Sequence, residues 1–331
     1  MKSKNVLTSR SPAVKVGLTI GDPAGIGPAI VIKALKQLEG FAEFTVIGSG
    51  FVLKKTLPSA RPFRPPVHLI DIDNLNHKKF SFGKVKAEYG KASIEYLDKA
   101  IALLREGKLD CLVTAPISKE AVNLAGFKVS GHTEYLSRKC HSPDTVMLLL
   151  NDHLKFCLLS RHIPLKNVAS YLNSRLIQKT IRLTASGLKA LFLLKHPKFV
   201  ICGLNPHASD NGVIGDEENK VIIPAIKSLK NKIKGASISG PFSADAAIYK
   251  AYCRQFDCVV AAYHDQALIP LKLTGLDSGV NLTLGLPFVR TSPLHGTAFD
   301  IAQDCAKSAN PSSFIAAVKL AVKCTQNLKK A

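Results

Sequence analysis

The sequence has no apolar stretch that approaches the roughly 20 residues needed to span a bilayer. The apolar run at residues 14–20 follows a basic start, but it is too short and too interrupted for the core of a signal peptide. The 8 cysteines form no CxxC pair and lie mostly in apolar stretches, which argues against a zinc ribbon and a disulfide framework. We therefore expect a cytoplasmic protein with no membrane partner.

Tryptophan is also missing, and no run of five basic residues occurs, although 45 Lys and Arg against 24 Asp and Glu give a net charge of +21. Such a charge indicates either a nucleic-acid partner or a general preference for anionic small molecules. Because the lysines are spread along the chain, we favour the second interpretation and expect no nucleic-acid partner. A basic nucleic-acid-binding protein is the alternative of another class, and it predicts salt-sensitive binding.

Short apolar runs rich in β-branched residues alternate with helical patterns along the 331 residues, a length that suits two domains or one large α/β unit. The pattern predicts nine strands, among them Cys111–Thr114 and Val280–Leu284, and six helices, the longest over Asn167–Leu194. This alternation predicts an α/β fold with a largely parallel sheet and helices on both faces. The proline-rich segment Leu57–Pro66 is either a linker or a surface loop.

Polar residues follow several of the predicted strands at the point where each strand ends. These segments are Gly21–Pro28, Thr114–Pro116, Asn205–His207 and His264–Gln266. Because ligands of α/β proteins bind at the carboxyl ends of strands, we expect these segments to border one cleft. The glycine-rich first segment either presents backbone N–H groups to an anion or is simply a tight turn before a helix.

Three histidines at strand ends, His162, His207 and His264, are candidate ligands of one divalent metal ion. Lys272, Asn281 and Arg290 are set into an otherwise apolar stretch. Charged groups are costly there unless they are paired or bind a ligand, so these residues predict a phosphate or carboxylate site.

Two further groups lie at predicted helix starts. Thr133 either caps its helix or, with His132, binds an anion at the helix N-terminus. Asp245 lies at the start of the helix predicted over Ala244–Gln255. It either caps that helix or faces the cleft as a general base or metal partner.

Eight motifs occur in a fixed order: GLTIGDPAGIGPAI, LVTAPISK, SGHTEYL, SRHIPL, GLNPHA, GPFSAD, YHDQALIPLK and GVNLTLGLPFVRTSPLHGTA. Together they resemble the 4-hydroxythreonine-4-phosphate dehydrogenase family of pyridoxal phosphate biosynthesis. The resemblance runs from about Val14 to about Ala306. The chain departs from the family at Ser209 and Asp210, which stand where Gly and Glu usually follow NPHA.

The resemblance implies two α/β/α subdomains with a cleft between them, similar to isocitrate and isopropylmalate dehydrogenases, at residues 1–128 plus 293–331 and at residues 129–292. It implies a homodimer with the active site at the subunit interface, NAD(P) as coenzyme, and one divalent metal (Zn, Mg or Co) per site. The implied substrate is a phosphorylated small molecule, 4-(phosphooxy)-L-threonine, which is oxidised to 2-amino-3-oxo-4-(phosphooxy)butanoate; this product decarboxylates to 3-amino-2-oxopropyl phosphate. The nearest alternative is oxidation of D-threonate or D-erythronate 4-phosphate, because only the group at C2 changes.

The resemblance also assigns roles to individual residues. The metal ligands are His162, His207 and His264; the substrate-binding residues are His132, Thr133, Lys272, Asn281 and Arg290; the coenzyme-binding residues are His295, Gly296, Thr297, Ala298 and Asp300. Asp245 is the candidate for assisting proton removal, with Lys272 as its rival.

Overall fold

The computed structural model describes residues 13–58, 67–229 and 232–330, and within these ranges one sheet of 11 strands forms. Residues 59–66 of the predicted linker lie outside the described residues. The strands are β1 Lys15–Thr19, β2 Glu43–Gly48, β3 Val67–Asp71, β4 Cys111–Thr114, β5 Val146–Leu150, β6 Lys155–Leu158, β7 Lys198–Cys202, β8 Ser237–Phe242, β9 Cys258–Ala261, β10 Val280–Leu284 and β11 Val289–Pro293.

The α-helices alternate with these strands, as the sequence pattern predicts for an α/β fold. They are α1 Gly27–Gln37, α2 Gly50–Thr56, α3 Ala87–Arg105, α4 Lys119–Leu124, α5 His132–Lys139, α6 Val168–Tyr171, α7 Ser174–Phe192, α8 Ile223–Leu229, α9 Ala244–Tyr252, α10 His264–Gly275, α11 Cys305–Ser308 and α12 Ser312–Leu328. A π-helical turn at Glu218–Ile222 leads into α8. No described helix is long and apolar enough to cross a membrane.

Helix α7 shows how the local sequence sets these bounds. Its buried residues recur at three- and four-residue spacing, including Ile177, Ile181 and Leu188, so one face of the helix packs against the core. The helix begins after Asn173, whose side chain accepts a hydrogen bond from the backbone N of Leu176 at 2.9 Å. The single helix predicted over Asn167–Leu194 was therefore wrong, because this cap separates α7 from the short α6.

The strand order is β3-β2-β1-β4-β11-β10-β5-β6-β9-β7-β8. Most neighbours are parallel, as predicted, but β10 is antiparallel to β11 and β5, and β5 is antiparallel to β6. These three reversals make β1 and β4 run opposite to β6, β7 and β9. The carboxyl ends of the two groups therefore lie at opposite edges of the sheet, and the strand-end residues do not meet at one edge as expected.

Both faces of the sheet are covered around β7. Phe199 and Ile201 belong to the large core cluster, whereas Val200 and Cys202 belong to a second cluster that also contains residues of α9 and α10. This alternation follows from the two-residue period of a strand, and it explains why the strand is apolar throughout. Strands from both predicted subdomains pair in the one sheet; the division at residues 128/129 and 292/293 stays a prediction.

Candidate active site

A cavity of about 330 Å³ lies against the middle strands of the sheet. One face of β5, β10 and β11 forms its floor through Met147, Leu149, Asn281, Arg290 and Ser292. Its walls come from the end of β4, the first turn of α5, the segment after β6 and the start of α10. The cavity therefore receives strand ends from both edges of the sheet over a floor of central strands.

Arg290 carries the most deeply buried charge in the cavity lining, with a relative exposure of 1%. Its Nη1 donates to Thr283 Oγ1 at 3.0 Å, and its Nη2 donates to Thr114 Oγ1 at 2.6 Å. Burial lowers the pKa of Arg290 to about 9, although the charge of Glu134 raises it in part. Among the described residues no carboxylate forms an ion pair with this guanidinium, so its charge is available to an anionic ligand.

His132 is the first residue of α5 and lines the same cavity. Burial lowers its pKa well below the usual value, and the charge of Arg290 lowers it further, so the imidazole is neutral at physiological pH. Thr133 is buried within the first turn of α5. It does not cap the helix, because the N-cap position is occupied by Gly131. The neutral ring of His132 therefore lies near the guanidinium, and Thr133 lines the same cavity rather than capping the helix.

The cavity concentrates polar atoms that lack partners. Eight buried side-chain nitrogen and oxygen atoms have no hydrogen-bond partner among the described residues, and five of the eight belong to cavity-lining residues. These five atoms are His132 Nε2, Arg161 Nη1, Asn281 Oδ1, Arg290 Nε and His295 Nε2. Buried polar groups without partners are costly, and their clustering in one cavity indicates a polar ligand.

Two of the three predicted metal ligands, His162 and His264, line the cavity with ring centroids 6.1 Å apart. At that separation one nitrogen of each ring can reach a shared ion at about 2 Å. Desolvation lowers the pKa of His162, and the charge of Lys119 lowers it further, which favours the neutral form that binds metals. His264 Nδ1 lies 2.6 Å from Asp265 Oδ1, which leaves Nε2 as the free ring nitrogen.

His207 is not part of this pair. It follows β7, which is separated from β6 by β9, and it lies exposed in the turn Pro206–Gly212. No group of three or more potential metal-ligating side chains occurs within residues 13–58, 67–229 and 232–330. The described chain thus brings two of the three predicted ligands together.

Asp245 and Lys272 are also exposed and lie outside the cavity. Asp245 lies in the first turn of α9, where hydrogen bonding to Ser243 is the main cause that lowers its pKa and the nearby His207 contributes. Lys272 lies on α10 next to Leu273, which is 82% exposed. We call His207, Asp245 and Lys272 the exposed set; helices α9 and α10, which carry the last two, also expose the apolar side chains of Tyr249 and Leu273.

The predicted coenzyme loop also lies partly inside and partly outside the cavity lining. His295 and Gly296 line the cavity, whereas Thr297, Ala298 and Asp300 do not. The backbone N of Ile26 donates to the carbonyl of Thr297 at 3.0 Å, and a Cβ on Gly25 would approach that carbonyl oxygen to 2.9 Å. The first glycine-rich segment therefore acts as a tight, buried turn that supports this loop.

The sequence interpretation missed three charged residues in the cavity lining: Lys119, Glu134 and Arg161. Arg161 Nη1 lies 3.6 Å from Glu134 Oε1, which places an ion pair at the cavity wall. All three belong to motifs quoted above, in TAPISK, HTE and SRH. Their position next to other candidate residues in these motifs could have identified them.

Comparison with known proteins gives a consistent result. A family model described as pyridoxal phosphate biosynthetic protein PdxA matches residues 32–321. The chain is 41% identical to 4-hydroxythreonine-4-phosphate dehydrogenase of Sulfurihydrogenibium sp., over 93% of this chain and 98% of that protein. It is 39% identical to D-threonate 4-phosphate dehydrogenase of Salmonella typhimurium, again over 93% and 98% of the two chains.

The fold agrees with a solved structure. The crystal structure of 4-hydroxythreonine-4-phosphate dehydrogenase from Klebsiella pneumoniae superposes with a TM-score of 0.83 at 35% sequence identity, covering 95% of this chain and 100% of that chain. The likeness therefore extends over the sheet and the cavity together.

Proposed function

The chain belongs to the PdxA family of pyridoxal phosphate biosynthetic proteins, and we propose that it is a metal-dependent, NAD(P)-linked 4-hydroxythreonine-4-phosphate dehydrogenase. In this reaction the C3 hydroxyl of 4-(phosphooxy)-L-threonine becomes a ketone: a base of the protein takes the hydroxyl proton, and bound NAD(P) would supply the hydride acceptor. The 3-oxo acid then loses carbon dioxide, because the electron pair of the broken bond is stabilised as an enolate. The enolate takes up a proton, and the products are carbon dioxide, reduced NAD(P) and 3-amino-2-oxopropyl phosphate.

The observation that carries this proposal is the buried, unpaired guanidinium of Arg290 among polar atoms without partners. A phosphate or carboxylate of the substrate would supply the missing acceptor for Arg290 Nε. Neutral His132 and Asn281, at the cavity wall and floor, would orient the remaining polar groups of the substrate. Thr133 lies beside His132 in the first turn of α5 and completes the substrate-binding residues of this chain.

His162 and His264 fit a divalent metal ion, since the two imidazoles line one cavity at a suitable separation and burial favours the neutral form of His162. Bound Zn, Mg or Co would lower the pKa of the substrate hydroxyl. Asp245 removes the proton from that hydroxyl, or Lys272 does so. An alanine variant at either position that keeps full turnover would eliminate that residue from the role.

We further propose a homodimer in which the exposed set of one chain completes the cavity of the other. Asp245 and Lys272 lie on helices α9 and α10, which also expose Tyr249 and Leu273, as expected for an interface that a second copy covers. His207 then supplies the third metal ligand to the partner's cavity.

His295 and Gly296 lie on the coenzyme side of the cavity in this proposal, and Thr297 and Ala298 continue the binding loop. A carboxylate at Asp300 would accept hydrogen bonds from ribose hydroxyls and repel a 2′-phosphate, which favours NAD over NADP. The reaction takes place in the cytoplasm, where both coenzymes are available.

The decisive experiment is an absorbance assay for reduced nicotinamide with 4-(phosphooxy)-L-threonine, with and without EDTA. We expect reduction that is lost on chelation and restored by added divalent metal. Folded dimer that is loaded with metal and still gives no reduction would contradict the proposal.

A second candidate function is oxidation of D-threonate or D-erythronate 4-phosphate. It is favoured by the relative from Salmonella typhimurium, whose 39% identity nearly equals the 41% of the first relative. The same assay with the sugar-acid phosphates decides between the two functions. A higher kcat/KM for these substrates than for 4-(phosphooxy)-L-threonine would favour the second function.

A further inference from the structure

Three strand ends that lead to the three histidines are joined by buried hydrogen bonds. Ser160 follows β6 and precedes His162 by two residues. Its backbone N and its Oγ both donate to the carbonyl of Ala262, at 3.1 and 2.7 Å. Ala262 follows β9 and precedes His264 by two residues, so this contact fixes the two histidine-bearing segments relative to each other.

Gln266 extends the connection to β7. This side chain, in the first turn of α10, is buried; its Oε1 accepts from the backbone N of Ala262 at 2.7 Å. Its Nε2 donates to the carbonyl of Gly203 at 3.0 Å. Gly203 follows β7 and leads into the turn that carries His207, so one amide joins the His264 helix to the start of the His207 loop.

Glu218 holds the next part of that loop. Its carboxylate is 1% exposed; Oε1 accepts from the backbone N of Leu204 at 2.7 Å and of Asn205 at 2.8 Å. Oε2 accepts from Asn205 Nδ2 at 2.9 Å. Glu218 begins the π-helical turn, a rare element that is often found at functional sites. The loop is closely packed as well, because a Cβ on Gly203 would lie 2.8 Å from the Cα of Ala208.

We propose that Gln266 and Glu218 are positioning residues that set the placement of His264 and His207 for metal binding. The inference rests on the proposed metal-dependent function. A buried carboxylate and a buried amide are costly unless their hydrogen bonds are satisfied, and here those bonds are directed at the backbone that carries the two histidines. Groups outside the first coordination shell that fix ligand geometry alter metal affinity when they are removed.

The test measures metal binding rather than turnover. Chelator-stripped dimer is titrated with Co²⁺, and affinity is followed by calorimetry and by the visible absorption of bound Co²⁺. Gln266→Met keeps the size of the side chain without its hydrogen bonds, and Glu218→Gln replaces an acceptor by a donor. We expect each variant to bind Co²⁺ about 10- to 100-fold more weakly, with an altered absorption spectrum. Gln266→Glu, which loses only the donor to Gly203, is the second variant if Gln266→Met fails to fold.

Asn151→Leu is the matched control. Asn151 is also a buried amide, and its Nδ2 donates to the carbonyl of Leu271 at 2.8 Å, near the other end of α10. This variant should lower thermal stability and leave Co²⁺ affinity unchanged. Unchanged Co²⁺ affinity in the Gln266 and Glu218 variants, with loss of binding in His264→Ala, would overturn the inference alone. Absence of saturable Co²⁺ binding by the wild type would overturn the metal site and the inference with it.

Discussion

The enclosed cavity and the exposed set of His207, Asp245 and Lys272 differ in how much of their surroundings a single chain supplies. In the cavity, buried hydrogen bonds to Thr283 and Thr114 hold Arg290, and burial lowers the pKa of both Arg290 and His132. The exposed set has no enclosing walls in the described residues, although its members are predicted to serve the same reaction. In the proposed homodimer, anion binding is built within one subunit, whereas metal binding and proton transfer are completed between subunits.

The largest expected effect comes from mixing two inactive variants. His162→Ala and His207→Ala should each abolish activity, because each removes a metal ligand. If every site uses His162 of one chain and His207 of the other, a randomly re-formed heterodimer contains one intact site. An equal mixture should then recover about 25% of wild-type activity.

The control for this mixture is His162→Ala combined with His264→Ala. These two histidines lie together in one chain, so their heterodimers contain no intact site and should stay inactive. Subunit exchange is confirmed by mass spectrometry. If the mixture of the His162 and His207 variants then recovers no activity, all three ligands belong to one chain, and the contrast between the two regions is lost.

Arg290→Met tests the enclosed region. The substitution removes the buried charge at similar length, and we expect a loss of about 2–5 kcal/mol in substrate and transition-state binding, roughly 30- to 5,000-fold in kcat/KM. Because the wild-type charge is buried without an ion pair, the variant should be at least as stable to urea as the wild type.

Arg254→Ala is the control, since this exposed arginine does not line the cavity. It removes the same charge from a chain of net charge +21. An equal fall in kcat/KM for both variants would mean that the overall positive charge, and not the cavity, attracts the substrate.

The enclosed region was also the easier one to predict. Arg290 and Asn281 stood out because polar side chains in an apolar stretch need a ligand, and that argument depends only on local sequence. The same argument also selected Lys272, which is exposed outside the cavity, whereas His132 stood out at a predicted helix start. The direction of the strands did not follow from local sequence, and only two of the four predicted strand-end segments, those with Pro116 and His264, line the cavity. Strands β8 and β11 were missed because Gly240 and Pro241 in β8, and Arg290 and Ser292 in β11, do not form apolar runs. In the proposed homodimer the surroundings of the exposed set depend on a second chain, which local sequence does not describe.

Asp22 is a buried titratable group beside the cavity: its backbone N donates at 2.8 Å to the carbonyl of Pro116, which lines the cavity. Its carboxyl is fully buried, and burial raises its pKa from 3.8 to about 7 against the hydrogen bonds from Ala24 and Ser118. A raised carboxyl pKa means that the folded state holds the proton more tightly than the unfolded state. Wild-type stability should therefore fall by about 4 kcal/mol from this group as pH rises from 4 to 8.

Asp22→Asn keeps an oxygen to accept the 2.9 Å bond from the backbone N of Ala24 and cannot ionise. It should be more stable than the wild type at pH 8 in urea denaturation, and the difference should vanish near pH 4. Asp22→Ala, which loses the acceptor, should be less stable than Asp22→Asn at both values. A difference between the Asp22→Asn variant and the wild type that is independent of pH would show that the carboxyl does not change its protonation in this range.

The smallest effect is expected in the turn of the exposed set. His207 to Asn211 all have positive φ, a conformation that costs a residue with a side chain about 1–2 kcal/mol. Ser209, at φ 67, stands where the family usually has glycine, and its buried Oγ has no hydrogen-bond partner in the described residues. Ser209→Gly relieves both costs but adds conformational freedom to the unfolded chain, so we expect the free energy of unfolding, measured in urea, to rise by about 1 kcal/mol.

Ser209→Ala separates the two causes, because it removes only the hydroxyl. A gain in the glycine variant alone assigns the cost to the backbone, and thus to the conformation that presents His207; no gain in either variant would mean that the turn is not strained.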